Sequence, residues 1–155
     1  MHVNKLRVVA ATDAHLVQVV TNLRKQDQAE LLACGVLNPL DQFRWGHKHG
    51  QCWAVIAPSG RACAVGGVIP APGENSAAVW LMGTDELTLY WREFLRRSTD
   101  YIEELHRIRP ILFNLVHVEN EIHRRWLKWA GFSLLPQPVF VGKGRAVFQK
   151  FIRIR

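Results

Sequence analysis

The sequence predicts a mixed α/β fold in which one central β-sheet is covered by helices. Three observations predict it. Short β-branched or fully apolar runs alternate with segments of helical periodicity, a Gly-containing turn joins two apolar runs mid-chain, and capping residues mark the helix starts. A length of 155 residues is typical of one domain, so we expect a single domain over 1–155.

The first half of the chain is predicted to form a strand, two helices and a hairpin. The β-branched run Leu6–Ala11 predicts the first strand, and Thr12 is suited to cap the helix that follows. Apolar residues at helical spacing continue that helix to Gly35, and Asn38-Pro39 opens a second, shorter one. The hairpin strands are 51–57 and 61–69.

The hairpin turn also bears on the cysteines. A turn centred on Ser59-Gly60 places residue 52 opposite residue 67, so Cys52 and Cys63 do not face each other. The odd count of three cysteines favours free, buried thiols in a reducing compartment. The paired glycines at 66–67 indicate a bulge or a close approach of another chain segment.

The second half alternates apolar strands with helices. Ala77–Met82 is fully apolar, as expected of a central strand. Thr84 is predicted to cap a long helix that Pro110 ends, and Asn120 to cap another that Gly131 terminates. The remaining strands are 111–118 and two strands joined around 142–144, the first of them near an edge or a bulge because of its prolines.

The resulting order, β-α-α-β-β-β-α-β-α-β-β, resembles the GNAT family of acetyl-CoA-dependent N-acetyltransferases over nearly the whole chain. The most specific match is NEIHRRWLKWAGF from Asn120 to Phe132, similar to the family's helix that begins at Asn and ends at Gly-Phe. The opening VVAATDAHLVQVVTNLRKQDQAEL also resembles the family's start. The resemblance implies a twisted mixed sheet of about seven strands flanked by about four helices.

A narrower resemblance concerns function. The segments GRACAVGGV, VWLMGTDELT and FLRRS, with the Asn120 block, are similar to a divergent GNAT-like group encoded by tailed bacteriophages. Some members of that group are internal virion or assembly proteins. This resemblance implies virion or assembly proteins as partners, and a location in the host cytoplasm or the virion.

The family resemblance also implies where acetyl-CoA would bind. A GNAT enzyme holds it where the fourth and fifth strands diverge, with the pyrophosphate on amides at the next helix start. The positions that carry over are Trp80, Leu81, Met82, Gly83, Thr84 and Asn120. The family's Arg/Gln-x-x-Gly-x-Gly/Ala loop is reduced here to Gly83, and Asp85 and Glu86 compete with an anion for the positive helix end.

Two residues are candidates for acid–base chemistry. His117, at the end of the fifth strand, is the candidate base, and Glu119 is a second one. The family's proton-donating Tyr corresponds here to Leu127, which cannot donate a proton. The neighbouring His123, Arg124 and Arg125 are expected on a solvated helix face, with a phosphate or an acidic partner as the alternative. No cysteine or carboxylate set accompanies His47 and His49, so we expect no metal site.

Three functions remain open from the sequence. The first is a non-catalytic or weakly catalytic virion component or assembly factor. The second is an N-acetyltransferase that modifies a host protein or a small amine with acetyl-CoA. The third, based on the net charge of +7 alone, is a nucleic-acid-binding accessory protein, although no nucleic-acid-binding motif supports it.

Overall fold

The computed structural model of the protein describes residues 4–155, which form a seven-stranded sheet flanked by helices. The strands are β1 (Arg7–Ala10), β2 (Gln51–Ile56), β3 (Ala62–Pro70), β4 (Ser76–Gly83), β5 (Ile111–His117), β6 (Ser133–Val141) and β7 (Ala146–Ile154). The helices are α1 (Asp13–Thr21), α2 (Lys25–Ala33), α3 (Pro39–His49), α4 (Trp91–Ile108) and α5 (Glu121–Trp129).

The sheet has the order β1-β2-β3-β4-β5-β7-β6. All neighbouring pairs are antiparallel except β4 and β5, which are parallel. The predicted mixed α/β class with about seven strands is confirmed. Among residues 4–155, no helix is both long enough and apolar enough to cross a membrane.

The helix predicted from Thr12 to Gly35 is in fact two helices. Thr12 caps α1 as expected, accepting a hydrogen bond from the His15 N–H at 3.4 Å. The helix then breaks because residues 22–24 pair with the end of β4. Leu23 forms an isolated bridge with Thr84, and the Arg24 N–H donates to the Gly83 carbonyl at 3.0 Å. This tertiary pairing overrides the helical periodicity.

The helix predicted to begin at Thr84 begins later, at Trp91. Residues Asp85–Tyr90 form a 3-10 helix instead. The Thr84 hydroxyl makes no capping hydrogen bond to it. That hydroxyl donates to the Cys63 carbonyl at 3.3 Å, as does the Thr84 N–H at 2.9 Å. Thr84 therefore belongs to the β3–β4 pairing rather than to a helix start.

The hairpin has the predicted register, with Cys52 opposite Gly67. Both Cys52 and Cys63 are buried free thiols, and burial raises the pKa of Cys52 to about 11 and that of Cys63 to about 12. The bulge lies at Val55/Ile56 rather than at the paired glycines. Gly67 serves a close approach, since a Cβ there would lie 2.8 Å from the Trp80 indole nitrogen.

The two faces of the sheet have separate cores, and β4 contributes to both. Trp80 and Met82 pack into the core beneath α1 and α3, where the Trp80 ring lies 5.2 Å from Phe43. Val79 and Leu81 point to the opposite face, which α4 and α5 cover. The large side chains Trp80 and Met82 therefore belong to the α1–α3 side of β4.

Candidate active site

The parallel strands β4 and β5 pair over only three residues and then diverge. Pairing runs from Ser76 opposite Ile111 to Ala78 opposite Phe113. Beyond it, the Asn114 carboxamide lies between the strands: its Nδ2 donates to the Val79 carbonyl at 2.9 Å, and its Oδ1 accepts the Leu115 N–H at 2.8 Å. A side chain thus replaces the next direct bond between the strands, and a gap begins there.

Helix α2 crosses the other end of this gap. Asp27 accepts the N–H of Gly83, the last residue of β4, at 2.9 Å. Glu30 accepts the N–H of His117, the last residue of β5, at 2.7 Å. Because residues three apart share a helix face, one side of α2 holds the ends of both strands. The gap is therefore bounded by Asn114 at one end and by α2 at the other.

The backbone of Leu81 faces this gap. Along a strand, the N–H and C=O groups of alternate residues point to the same edge. Since the Val79 carbonyl and the Gly83 N–H both bond towards β5 and α2, the N–H and C=O of Leu81 between them point that way too. Within residues 4–155, no strand lies opposite Leu81 on that edge, so its N–H is a free donor beside the gap.

An apolar cavity of about 90 Å³ lies between the sheet and helices α4 and α5. Its lining includes the side chains of Trp53, Phe94, Tyr101, His123, Trp126 and Leu127, together with Leu81 of β4. The Tyr101 hydroxyl is buried without a hydrogen-bond partner in the described part of the chain, and burial raises its pKa to about 12. The cavity is thus an apolar space with few polar groups on its wall.

A buried polar cluster stands where the cavity meets the gap. Glu30 is 5% exposed and, besides the His117 N–H, accepts a bond from Asn120 Nδ2 at 3.1 Å. The Nδ1 of His123 lies 3.7 Å from Glu30 Oε2. Burial alone would raise the pKa of the Glu30 carboxyl, but the interactions with His123, His117 and Asn120 outweigh burial and hold that pKa below its usual value.

The predicted catalytic residues occupy different places. The His117 ring packs edge-on against Phe148, with 5.0 Å between ring centroids, and its Nδ1 accepts the Glu119 N–H at 3.3 Å. Its neighbour Val116 is buried in the α4–α5 core, so alternation turns His117 to the α1–α3 side of β5. Glu119 is exposed on the loop after β5. The structure brings His117 to the gap but leaves Glu119 in solvent.

The predicted cofactor-binding residues are only partly available. Asn120 caps α5 as predicted, accepting the His123 N–H at 3.3 Å. The N–H groups of Gly83 and Thr84 are already bonded, to Asp27 and to the Cys63 carbonyl. Of the predicted set on β4, Leu81 alone combines a backbone donor facing the gap with a side chain on the cavity wall.

A positive charge reaches the end of β4 from another element. Arg24, 5% exposed, bonds Asp27 through Nε at 3.1 Å and Nη2 at 2.9 Å. Its guanidinium carbon lies 3.5 Å from where a Cβ on Gly83 would be. This charge stands beside the loop that lacks a basic residue of its own.

Sequence reasoning placed His123 incorrectly and missed several residues of the site. His123 is 9% exposed and lines the cavity, so it does not belong to a solvated face. Arg124 is half-buried and donates to Gln149 Oε1 at 3.2 Å, whereas Arg125 is exposed as predicted. The residues that were missed are Arg24, Asp27, Glu30 and Asn114.

No model of a protein family matches this chain. No curated protein matches it either. Solved structures do match. A spermidine N-acetyltransferase from Vibrio cholerae, in complex with CoA and spermine, aligns with a TM-score of 0.68 at 15% identity, covering 97% of this chain and 95% of that one.

Two further solved structures extend this likeness. A ribosomal-protein-S5-alanine acetyltransferase from Vibrio fischeri has a TM-score of 0.66 at 11% identity, over 99% of this chain and 95% of that one. A putative phosphinothricin N-acetyltransferase has a TM-score of 0.64 at 16% identity, over 96% and 98%. Identities this low establish the fold alone, and the chain has the fold of the GNAT N-acetyltransferases.

Proposed function

We propose that this protein is an acetyl-CoA-dependent N-acetyltransferase whose reaction takes place in the gap between β4 and β5. The observation that carries the proposal is the free N–H of Leu81 beside the gap. Asn114 at one end of the gap and α2 at the other hold β4 and β5 apart. A preorganised backbone donor is what acyl transfer needs to stabilise the oxyanion of its tetrahedral intermediate.

The apolar cavity suits the acyl end of the donor. Its volume of about 90 Å³ is several times the ~10–15 Å³ that one water molecule needs on the same measure, so an acetyl group fits. The side chain of Leu81 lies on the cavity wall, and its N–H faces the gap. A thioester held there would have its methyl group in the cavity and its carbonyl near the donor.

The part of the site that would hold the thioester of acetyl-CoA is better formed than the part that would hold its phosphates. The free N–H of Leu81 and the apolar wall match a thioester, whereas the N–H groups of Gly83 and Thr84, where β4 ends, are bonded within the protein. Glu86 pairs with Arg61 at 3.6 Å, and the nearby Arg24 charge is already paired with Asp27. We therefore expect acetyl-CoA to bind more weakly than in an enzyme with the full phosphate loop.

The acceptor would approach from the α1–α3 side. His117 lies on that side at the end of β5, with its backbone held by Glu30. In this proposal, the His117 imidazole removes a proton from the attacking amine, which is the part assigned to a general base. The solved enzymes of the same fold are described as acting on spermidine, on a ribosomal protein alanine and on phosphinothricin, and all three support an amine as acceptor.

The test is acetyl transfer to a panel of amines, followed by chromatography of released CoA and mass spectrometry of the product. Spermidine, an alanine-terminated peptide and hydroxylamine are suitable acceptors. Turnover that falls about 100-fold or more in His117→Ala would support the proposal. His106→Gln is the matched control, since His106 is also buried but lies on α4 near Arg109 and Pro110, away from the gap. Release at the uncatalysed rate with every acceptor would contradict the proposal.

The other two functions stay predictions. A role as a virion component or assembly factor rests on the sequence resemblance, and no contact in the described residues favours it. Nucleic-acid binding rests on the net charge of +7. Binding to DNA or RNA that weakens steeply with salt would favour the latter.

A further inference from the structure

One buried histidine stands between the cavity and the gap. His123 lies on the first turn of α5, one helical turn before Leu127, and both residues line the cavity. Leu127 occupies the position where the resemblance expects a proton-donating Tyr. Because residues four apart share a helix face, His123 presents a titratable group on the face from which that donor is missing.

His123 is buried among aromatic side chains and faces one carboxylate. Buried polar atoms are nearly always hydrogen-bonded, yet His123 Nδ1 has no hydrogen-bond partner among residues 4–155. Its ring lies against aromatic neighbours, 5.7 Å from Trp126 and 6.4 Å from Phe151 between centroids. The charged group that faces it is the Glu30 carboxylate, 3.7 Å from Nδ1.

Glu30 is held in place by its hydrogen bonds and by its burial. It accepts the His117 N–H at 2.7 Å and Asn120 Nδ2 at 3.1 Å, and it is 5% exposed. A carboxylate fixed in this way stabilises positive charge on a neighbouring imidazole, because water is largely excluded and the separation is short. The pair has the arrangement of a carboxylate that supports a histidine in proton transfer.

We propose that His123 is the acid that protonates the departing thiolate, with Glu30 as its positioning residue. This inference rests on the proposed acetyltransferase function. His117 and His123 both contact Glu30, the first through its backbone N–H and the second through its ring. The His117 ring lies on the α1–α3 side of the sheet, and the His123 ring lines the cavity on the α4–α5 side. Proton removal from the acceptor and proton delivery to sulfur are then assigned to different sides of the gap.

The acceptor ammonium first loses one proton to solvent. The amine nitrogen then forms a bond to the thioester carbon and gives a second proton to His117. The carbon–sulfur bond breaks, the electron pair leaves with sulfur, and the His123 imidazolium donates a proton to it. Exchange with solvent resets both histidines, so each turnover yields the amide, the free thiol and one proton.

The experiment compares the wild-type protein with His123→Gln, Glu30→Gln and the control His106→Gln. Acetyl-CoA is the donor and hydroxylamine is the probe acceptor, because its small size demands no particular acceptor pocket. Binding of acetyl-CoA is measured separately by calorimetry, and thermal unfolding shows that each variant folds. We expect His123→Gln to lower kcat about 100-fold or more, with acetyl-CoA binding unchanged within about threefold. Glu30→Gln keeps the size of the side chain and should lower kcat at least about tenfold.

A pH profile of kcat separates this role from a structural one. The groups that face His123 are Glu30 from α2 and Asn120 at the start of α5, and Arg97 from α4 lines the same cavity. We expect the wild-type rate to fall on the alkaline side of the profile and this fall to be absent in His123→Gln. A purely structural role would lower the rate without changing the shape of the profile.

The possible failures are distinct. If the wild-type protein does not bind acetyl-CoA, the proposed function itself is wrong. If it binds and turns over, but His123→Gln keeps kcat within threefold, the role of His123 is wrong and the function stands. Binding without any release of CoA above the uncatalysed rate would overturn both the proposed function and the role of His123.

Discussion

Replacing Asp27 with Ala should destabilise the protein strongly, because Asp27 joins α2 to β4. Its side chain is fully buried, and it bonds both the Arg24 guanidinium and the Gly83 N–H. Asp27→Ala leaves the Arg24 charge buried without a partner, and breaking a buried pair in this way costs about 3–5 kcal/mol. For a domain of this size each kcal/mol lowers Tm by ~2–4 °C, so we expect a loss of roughly 10 °C.

Urea unfolding followed by circular dichroism measures the loss of unfolding free energy, thermal unfolding measures the change in Tm, and two variants serve as controls. Arg24→Met combined with Asp27→Leu removes both charges and should recover at least ~2 kcal/mol of the loss. Asp13→Ala breaks the exposed pair with Arg44, where both side chains are about half exposed, and should leave the transition unchanged. An Asp27→Ala protein that unfolds within 1 kcal/mol of the wild type, as a rough threshold, would refute the reasoning.

Three further predictions concern packing, the gap and pH. Gly67→Ala should lower the free energy of unfolding in urea by about 1–3 kcal/mol, because the new Cβ would lie 2.5 Å from the Gln51 carbonyl oxygen. Gly144→Ala, where the new Cβ enters open space, should leave that free energy unchanged, and equal effects of the two changes would contradict the prediction. Asn114→Leu should cost about 1–3 kcal/mol by leaving two backbone groups unpaired, and a neutral result would contradict its role between the strands. Burial tends to raise the pKa of Glu93, but two backbone N–H groups before β1 and Arg97 outweigh it and lower that pKa. Glu93 therefore stabilises the fold above about pH 4.3, and this contribution disappears as pH falls through the lowered value, so Glu93→Gln should flatten the acid limb of a stability–pH curve.

Local signals in the sequence predicted local structure well. Asn120 caps α5, and Gly131 ends it with a φ of 90°, the left-handed conformation that glycine adopts easily. The turn at Ser59-Gly60 correctly placed Cys52 opposite Gly67. Each of these features depends on residues close together in the chain, so one sequence is enough to find it.

The site depends on contacts that no local pattern contains. Asp27 meets Gly83 across 56 positions, and Glu30 meets His117 across 87. On α2 alone, two acids three residues apart look like an ordinary solvated face, which is why sequence reasoning missed them. His123 was misplaced for the same reason: its neighbours Arg124 and Arg125 suggested a polar face, and only the packing of α5 on the sheet shows that the ring turns inward.

The central claim, that the gap between β4 and β5 binds acetyl-CoA, is tested most directly by isothermal titration calorimetry. The purified protein is titrated with acetyl-CoA at moderate salt, and with free CoA in a second experiment. The account predicts binding to the wild-type protein with a Kd in the micromolar range, about −8 kcal/mol. An absence of heat up to millimolar acetyl-CoA would contradict it.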